Sequence, residues 1–149
     1  MSNATAITYR WFEEVWNQGR EETIDELCAP DITGDGLGEG GTPIKGAEGF
    51  KVFWRNLRDA FPDSKVTIED TVTQGDKCVV RLTFRGTHTG KGGLGLAPSA
   101  RQVAISGMIM LRIVDGKIHE AWNSWDQLGL LQQIGAMDTP QDRFMTSQA

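Results

Sequence analysis

The sequence predicts an α+β domain, and three observations carry that reading. Apolar residues recur at helical spacing through residue 61, the spacing then changes to strict alternation, and Asp115-Gly116 joins the last two alternating runs as a hairpin. In residues 4–18, Ile7, Trp11 and Val15 lie on one helical row, with Thr8, Phe12 and Trp16 one step round, and Gly19 supplies the stop. A second, shorter helix is predicted over 20–28, with Ile24, Leu27 and Cys28 on one face and Pro30 ending it. Residues 31–46 are glycine-rich and polar, which fits a short strand and a long loop. Residues 47–61 form the clearest helix: Phe50, Phe53, Trp54, Leu57 and Phe61 share a face, and Pro62 closes it.

From Ser64 onward Val66, Ile68 and Val72 alternate with polar residues, and Gln74-Gly75-Asp76 turns the chain into a strand over 77–88. After a second glycine-rich loop, 101–114 and 117–125 form the hairpin. Leu128, Leu130, Leu131 and Ile134 suggest a short closing helix, followed by a loose tail over 136–149. The whole of 1–149 reads as one domain. The strands 77–88 and 101–114 are apolar on both faces in places, as at Met108-Ile109-Met110-Leu111. One face can wrap helices and a cavity; the other then calls for a second copy, a homodimer packed sheet to sheet.

Composition narrows the function. With 15 Lys+Arg against 20 Asp+Glu the net charge is −5, and no basic cluster is present, which argues against nucleic acid and anionic membranes. No apolar run approaches the ~18 residues of a membrane span. Cys28 and Cys78 read as buried thiols in a reducing compartment, so a cytoplasmic location is expected. Twelve of the 18 glycines fall in 34–49 and 86–95. The run from Gly34 to Gly41 lacks the Gly-Lys-Ser/Thr ending of a phosphate loop, and Thr42 stands where a calcium loop needs Glu. His88 and His119, the only histidines, have no metal-ligand spacing, and no metal site or motif for a bound redox cofactor is predicted. The two glycine clusters are instead expected as mobile flaps at a cavity mouth.

Several linked blocks carry a resemblance. They are Trp11-Phe-Glu-Glu-Val-Trp-Asn-Gln-Gly19, Phe61-Pro62-Asp63, Arg85-Gly86-Thr87-His88-Thr89-Gly90, Val114-Asp-Gly-Lys-Ile-His-Glu-Ala-Trp122 and Leu130-Leu131-Gln132-Gln133-Ile134-Gly135. In this order and spacing, over about residues 5–135, the chain resembles the SnoaL-like polyketide cyclases (ester cyclases) of the NTF2-like superfamily. The resemblance implies a cone in which a curved antiparallel sheet wraps the N-terminal helices around an internal apolar pocket. It also implies a cofactor-independent enzyme, closing a ring by an intramolecular aldol reaction on an apolar aromatic or polyketide-like carbonyl substrate. The family's acid/base aspartate falls on Asn123, which can polarise an oxygen but cannot remove a proton. Related limonene-epoxide hydrolases use an Asp-Arg-Asp trio; Arg81 matches the arginine, while Thr83 and Asn123 replace both carboxylates and argue against that activity.

The candidate catalytic residues are therefore Asn123, Asp126, His88 and Arg81. Asn123 with Arg81 or His88 would stabilise oxyanion charge. Asp126 either moves the proton or caps the closing helix. His88 either transfers a proton or is a hydrogen-bonded structural histidine, and Arg81 either meets a ligand or pairs with Asp126 or Glu120. Strand parity places His119, Ala121, Asn123 and Trp125 on one face, taken as the pocket face, with His119 near the rim. Phe53, Trp54, Met108, Trp122 and Trp125 are candidate pocket linings or plain core. A cofactor-free hydroxylase and a non-catalytic ligand-binding dimer are the alternatives.

Overall fold

A computed structural model describes residues 3–37, 42–90 and 96–137. The first helical segment splits into α1 (Asn3–Arg10) and a π-helical turn, Trp11–Asn17, in which the Gln18 N–H reaches back to Glu13 O (2.9 Å). The wider turn brings Trp11, Phe12, Val15 and Trp16 to the buried side together. Then follow α2 (Glu21–Leu27), β1 (Cys28–Asp35), β2 (Ile44–Lys45), α3 (Gly46–Ala60), β3 (Lys65–Gln74), β4 (Lys77–Thr87), β5 (Gln102–Val114), β6 (Lys117–Trp125) and α4 (Gln127–Gln133).

The strands make one open, curved six-stranded sheet in the order β2-β1-β6-β5-β4-β3. Every neighbouring pair is antiparallel except β1 with β6, so the expected antiparallel sheet is in fact mixed. The chain leaves α2 and enters the sheet with Cys28 opposite Ile118, at the start of β6, and the two strands then run the same way. Pro30, expected to stop a helix, lies inside β1 where the register with β6 is interrupted between Cys28 and Thr33. There its missing N–H leaves no ladder bond broken. The hairpin at Asp115 (φ 51°) and Gly116 (φ 76°) has the two positive φ angles that its sequence demands.

Alternation sorts β4 and β5 cleanly. Cys78, Val80, Leu82 and Phe84 face inward, as do Ile105, Ile109 and Leu111, against Phe12, Val15, Ile24 and Phe61 of the helical layer. Each such large side chain contributes roughly 1.5–3 kcal/mol on burial. Polar side chains tie the end of the π-turn to α3 and to the sheet. Trp54 Nε1 donates to Val15 O (2.9 Å) and Arg58 Nη1 to Trp16 O (2.5 Å). The Asn17 carboxamide exchanges two bonds with the backbone of Val66, accepting at 2.7 Å and donating at 3.0 Å. These partners satisfy carbonyls that a helix end otherwise leaves open.

The outer face of the sheet is different. Val79, Met110 and Trp122 are register neighbours across β4, β5 and β6, and Met108 beside them is 52% exposed. Burial pushes the Cys28 thiol up to about 12, so it stays protonated and inert. Among the described residues no helix is long and apolar enough to cross a membrane.

Candidate functional site

A cavity lies between the helical layer and the inner face of the sheet. Trp11, Phe12 and Trp16 of the π-turn form one wall, and Ile109, Leu111 and Ile118 face them from β5 and β6. Ile32, Gly34 and Leu37 enter from β1 and the residues after it, Ile44, Gly46 and Phe50 from around the start of α3. Ala121, Asn123 and Trp125 complete the wall along β6. The space within these walls is about 30 Å³, room for about two waters.

Among the described residues, no member of this wall is titratable, and Asn123 is the one whose side chain is neither hydrocarbon nor aromatic. Asn123 Nδ2 donates to Asp35 O (2.9 Å), which orients the carboxamide and ties the end of β1 to β6. The contact is tight: a Cβ on Gly36 (φ 85°) would stand 2.0 Å from Asn123 O, so only glycine fits there. An aspartate at 123 could reach Asp35 O only in its protonated form, because an ionised carboxylate has no hydrogen to donate.

The structure brings Asn123 and Trp125 into the wall and places the other candidates elsewhere. A bulge at His119 breaks the alternation of β6, since Arg112 pairs with Glu120 but Ile113 with Ile118. Ile118 therefore faces inward and His119 does not line the cavity; beyond the bulge Trp122, next to Asn123, falls by alternation on the outer face with Met108. Arg81, expected in the pocket, stands on the outer face, half exposed, and pairs with Asp70 of β3 (2.8 Å). Trp54 is buried core, spent on Val15 O, and Phe53 packs beside Trp16 outside the wall. Asp126 accepts from Gly129 N–H (2.9 Å) as the N-cap of α4.

His88 is fully buried just beyond β4. Its Nδ1 accepts from Ser99 N–H (3.2 Å) and meets Ser99 Oγ (3.0 Å), and its ring packs on Phe61. Neither His88 nor Asp126 reaches Asn123's cavity wall, so the expected proton movers hold a loop and a helix end instead. Just before His88, the Thr87 hydroxyl and N–H (both 2.7 Å) hold the Asp63 carboxyl below the usual range. The stability this gives is complete above the ordinary aspartate pKa and is lost as pH falls through the lowered value. Of the expected flaps, the first reaches the cavity through Gly34 and Leu37. The second begins away from it, Gly90 N–H donating to Ala60 O (3.2 Å). Residues 38–41 and 91–95 lie outside the described residues.

Sequence reasoning missed Gly107. It faces inward in the middle of β5, opposite Trp125, and a Cβ there would stand 2.8 Å from Trp125 Cε3. The signal was present, a lone glycine inside an otherwise apolar strand. It missed as well that Trp11, Phe12 and Trp16 line the cavity, because helical spacing alone cannot tell pocket from core.

The chain matches the SnoaL-like polyketide cyclase family over residues 6–134. It belongs to that family. It is 28% identical to the aklanonic acid methyl ester cyclase AcmA of Streptomyces galilaeus, over 91% of this chain and 92% of the relative. Among solved structures it is similar to IdmH of Streptomyces antibioticus, a candidate polyketide cyclase. The TM-score is 0.78 at 31% identity, covering 90% of this chain and 99% of that one. It is also similar to AclR of Streptomyces galilaeus, a candidate hydroxylase, with a TM-score of 0.79 at 25% identity over 99% and 91% of the two chains. Within this SnoaL-like chain, β6 supplies the polar end of an otherwise apolar site.

Proposed function

We propose that this protein binds an aromatic, polyketide-like carbonyl compound in the cavity and promotes an intramolecular aldol ring closure. The observation that carries the proposal is Asn123, a carboxamide oriented by Asp35 O in an apolar wall. Its role is to polarise a carbonyl or stabilise the alkoxide that forms on it. The carbon next to the ester, acidified by that carbonyl and by the aromatic ring it bears, gives up its proton to a solvent hydroxide. The enolate carbon then bonds to the second carbonyl carbon, whose oxygen takes up a proton. The apolar walls supply orientation, holding the two reacting carbons in a near-attack geometry.

The test is product analysis with aklanonic acid methyl ester, the substrate class named for the AcmA relative. Wild type is expected to yield a cyclised isomer, and Asn123→Ala to lower the rate by roughly a hundredfold to a thousandfold, in line with loss of one oxyanion donor. Saturable binding without any product would instead establish a ligand-binding module. That second reading is favoured by the lack of a titratable side chain among the described wall residues. A product heavier by one oxygen, with dioxygen consumed, would establish a hydroxylase.

A second copy of the chain as partner is part of the same proposal. Val79, Met110, Trp122 and Met108 offer an apolar centre, flanked by the pairs Arg81–Asp70 and Arg112–Glu120, whose mixed signs let the face meet itself about a two-fold axis. Light scattering is expected to give twice the 16.4 kDa chain mass. Met108→Lys is expected to give a monomer, and a wild-type monomer at micromolar concentration would sink the idea.

A further inference from the structure

Two buried side-chain nitrogens among the described residues have no hydrogen-bond partner, His88 Nε2 and Trp125 Nε1. His88 lies away from the cavity, against Phe61. Trp125 is in the wall, two residues beyond Asn123 on the same inward face of β6. An indole N–H can only donate, and folded proteins rarely leave a buried donor unpaired without a reason.

The ring is held where it is. Gly107 opposite it carries no side chain, and a Cβ there would press on Cε3, Cδ2 and Cζ3, the side of the indole away from its nitrogen. Phe84 stands edge-on at 6.4 Å. Gly107 thus lies under the face of the indole at Cε3, so the backbone of β5 covers the six-membered ring and not Nε1.

We propose that Trp125 is a specificity-determining donor whose indole N–H takes a carbonyl oxygen of the bound ligand. The inference rests on the reading of the cavity as a ligand site and adds to it a demand for an acceptor oxygen beside Trp125. A flat hydrocarbon of the same size satisfies the apolar walls and leaves this N–H unpaired; an aryl ketone satisfies both. Trp125 is thereby more than a stacking surface.

The full chain, labelled with ¹⁵N, is titrated with 1-tetralone and with tetralin, a matched pair that differs by the ketone. The Trp125 indole resonance is identified by its absence in Trp125→Phe, which keeps a ring over Gly107. The ketone is expected to move that resonance downfield, and tetralin is not. Trp125→Phe is expected to weaken the ketone about tenfold and tetralin less than twofold. Equal losses for both ligands, or a ketone that binds without moving the Trp125 resonance, would overturn the donor role and leave the cavity reading standing. If neither ligand binds wild type, the cavity reading falls and the donor role with it.

Discussion

Valine at position 107 is expected to close the cavity and to destabilise the fold, although β propensity alone predicts the opposite. Gly107 is buried in β5, and even one Cβ would stand 2.8 Å from Trp125 Cε3 and 3.1 Å from Cδ2. The ring stands edge-on to Phe84, which is itself packed edge-on against Phe61, so the added methyls drive it toward the cavity. Overpacking of this kind costs roughly 1–3 kcal/mol, a fall in Tm of about 2–12 °C for a domain of this size. Thermal melts of Gly107→Val, with Gly107→Ala as the milder step, measure the cost. Titration with 1-tetralone measures the cavity, and affinity is expected to fall at least tenfold. A Gly107→Val protein that melts and binds like wild type would show that Trp125 does not depend on the space at 107.

The second large effect is expected from Trp54→Ala. Trp54 is 5% exposed, its N–H donates to Val15 O at 2.9 Å, and Arg58 lies over its ring at 5.7 Å. Removing a buried Trp costs about 3–5 kcal/mol, and the Val15 carbonyl loses its side-chain partner as well. A drop in Tm of roughly 6–20 °C follows. Trp54→Phe separates the two contributions, keeping much of the ring while opening the carbonyl, which costs about 1–3 kcal/mol. Because Val15 belongs to the turn that carries Trp11, Phe12 and Trp16, both variants are expected to weaken ligand binding without touching the cavity. Denaturant titration beside the binding assay checks this, and a Trp54→Phe protein of wild-type stability would remove the hydrogen bond from the account.

The helix ending at Phe61, the hairpin at Asp115-Gly116 and the inward alternation of β4 and β5 were legible because each depends on residues near one another in the chain. The parity of β6 was legible only from Glu120 onward, where Ala121, Asn123 and Trp125 share the wall as expected. One bulged residue, His119, shifted every assignment on its N-terminal side and kept His119 itself out of the wall. Arg81 stood out as a match to the arginine of limonene-epoxide hydrolases; burial of Val80 and Leu82 on either side of it puts it on the outer face, beside Asp70 of β3.

The sequence by itself determined the order of helices and strands, which rests on local pattern, and its resemblance to the SnoaL-like cyclases marked the family and Asn123 among four candidate residues. Only the tertiary structure decided what shares the site with Asn123. Asp126 and His88 are near it in sequence or in the expected chemistry, yet one caps a helix and the other packs behind Phe61. Gly107 and Trp125, eighteen residues apart, meet because β5 and β6 pair in one register. Long-range pairing of that kind, together with the burial it imposes, is set by the packing of the whole sheet and is invisible to any short window of the chain.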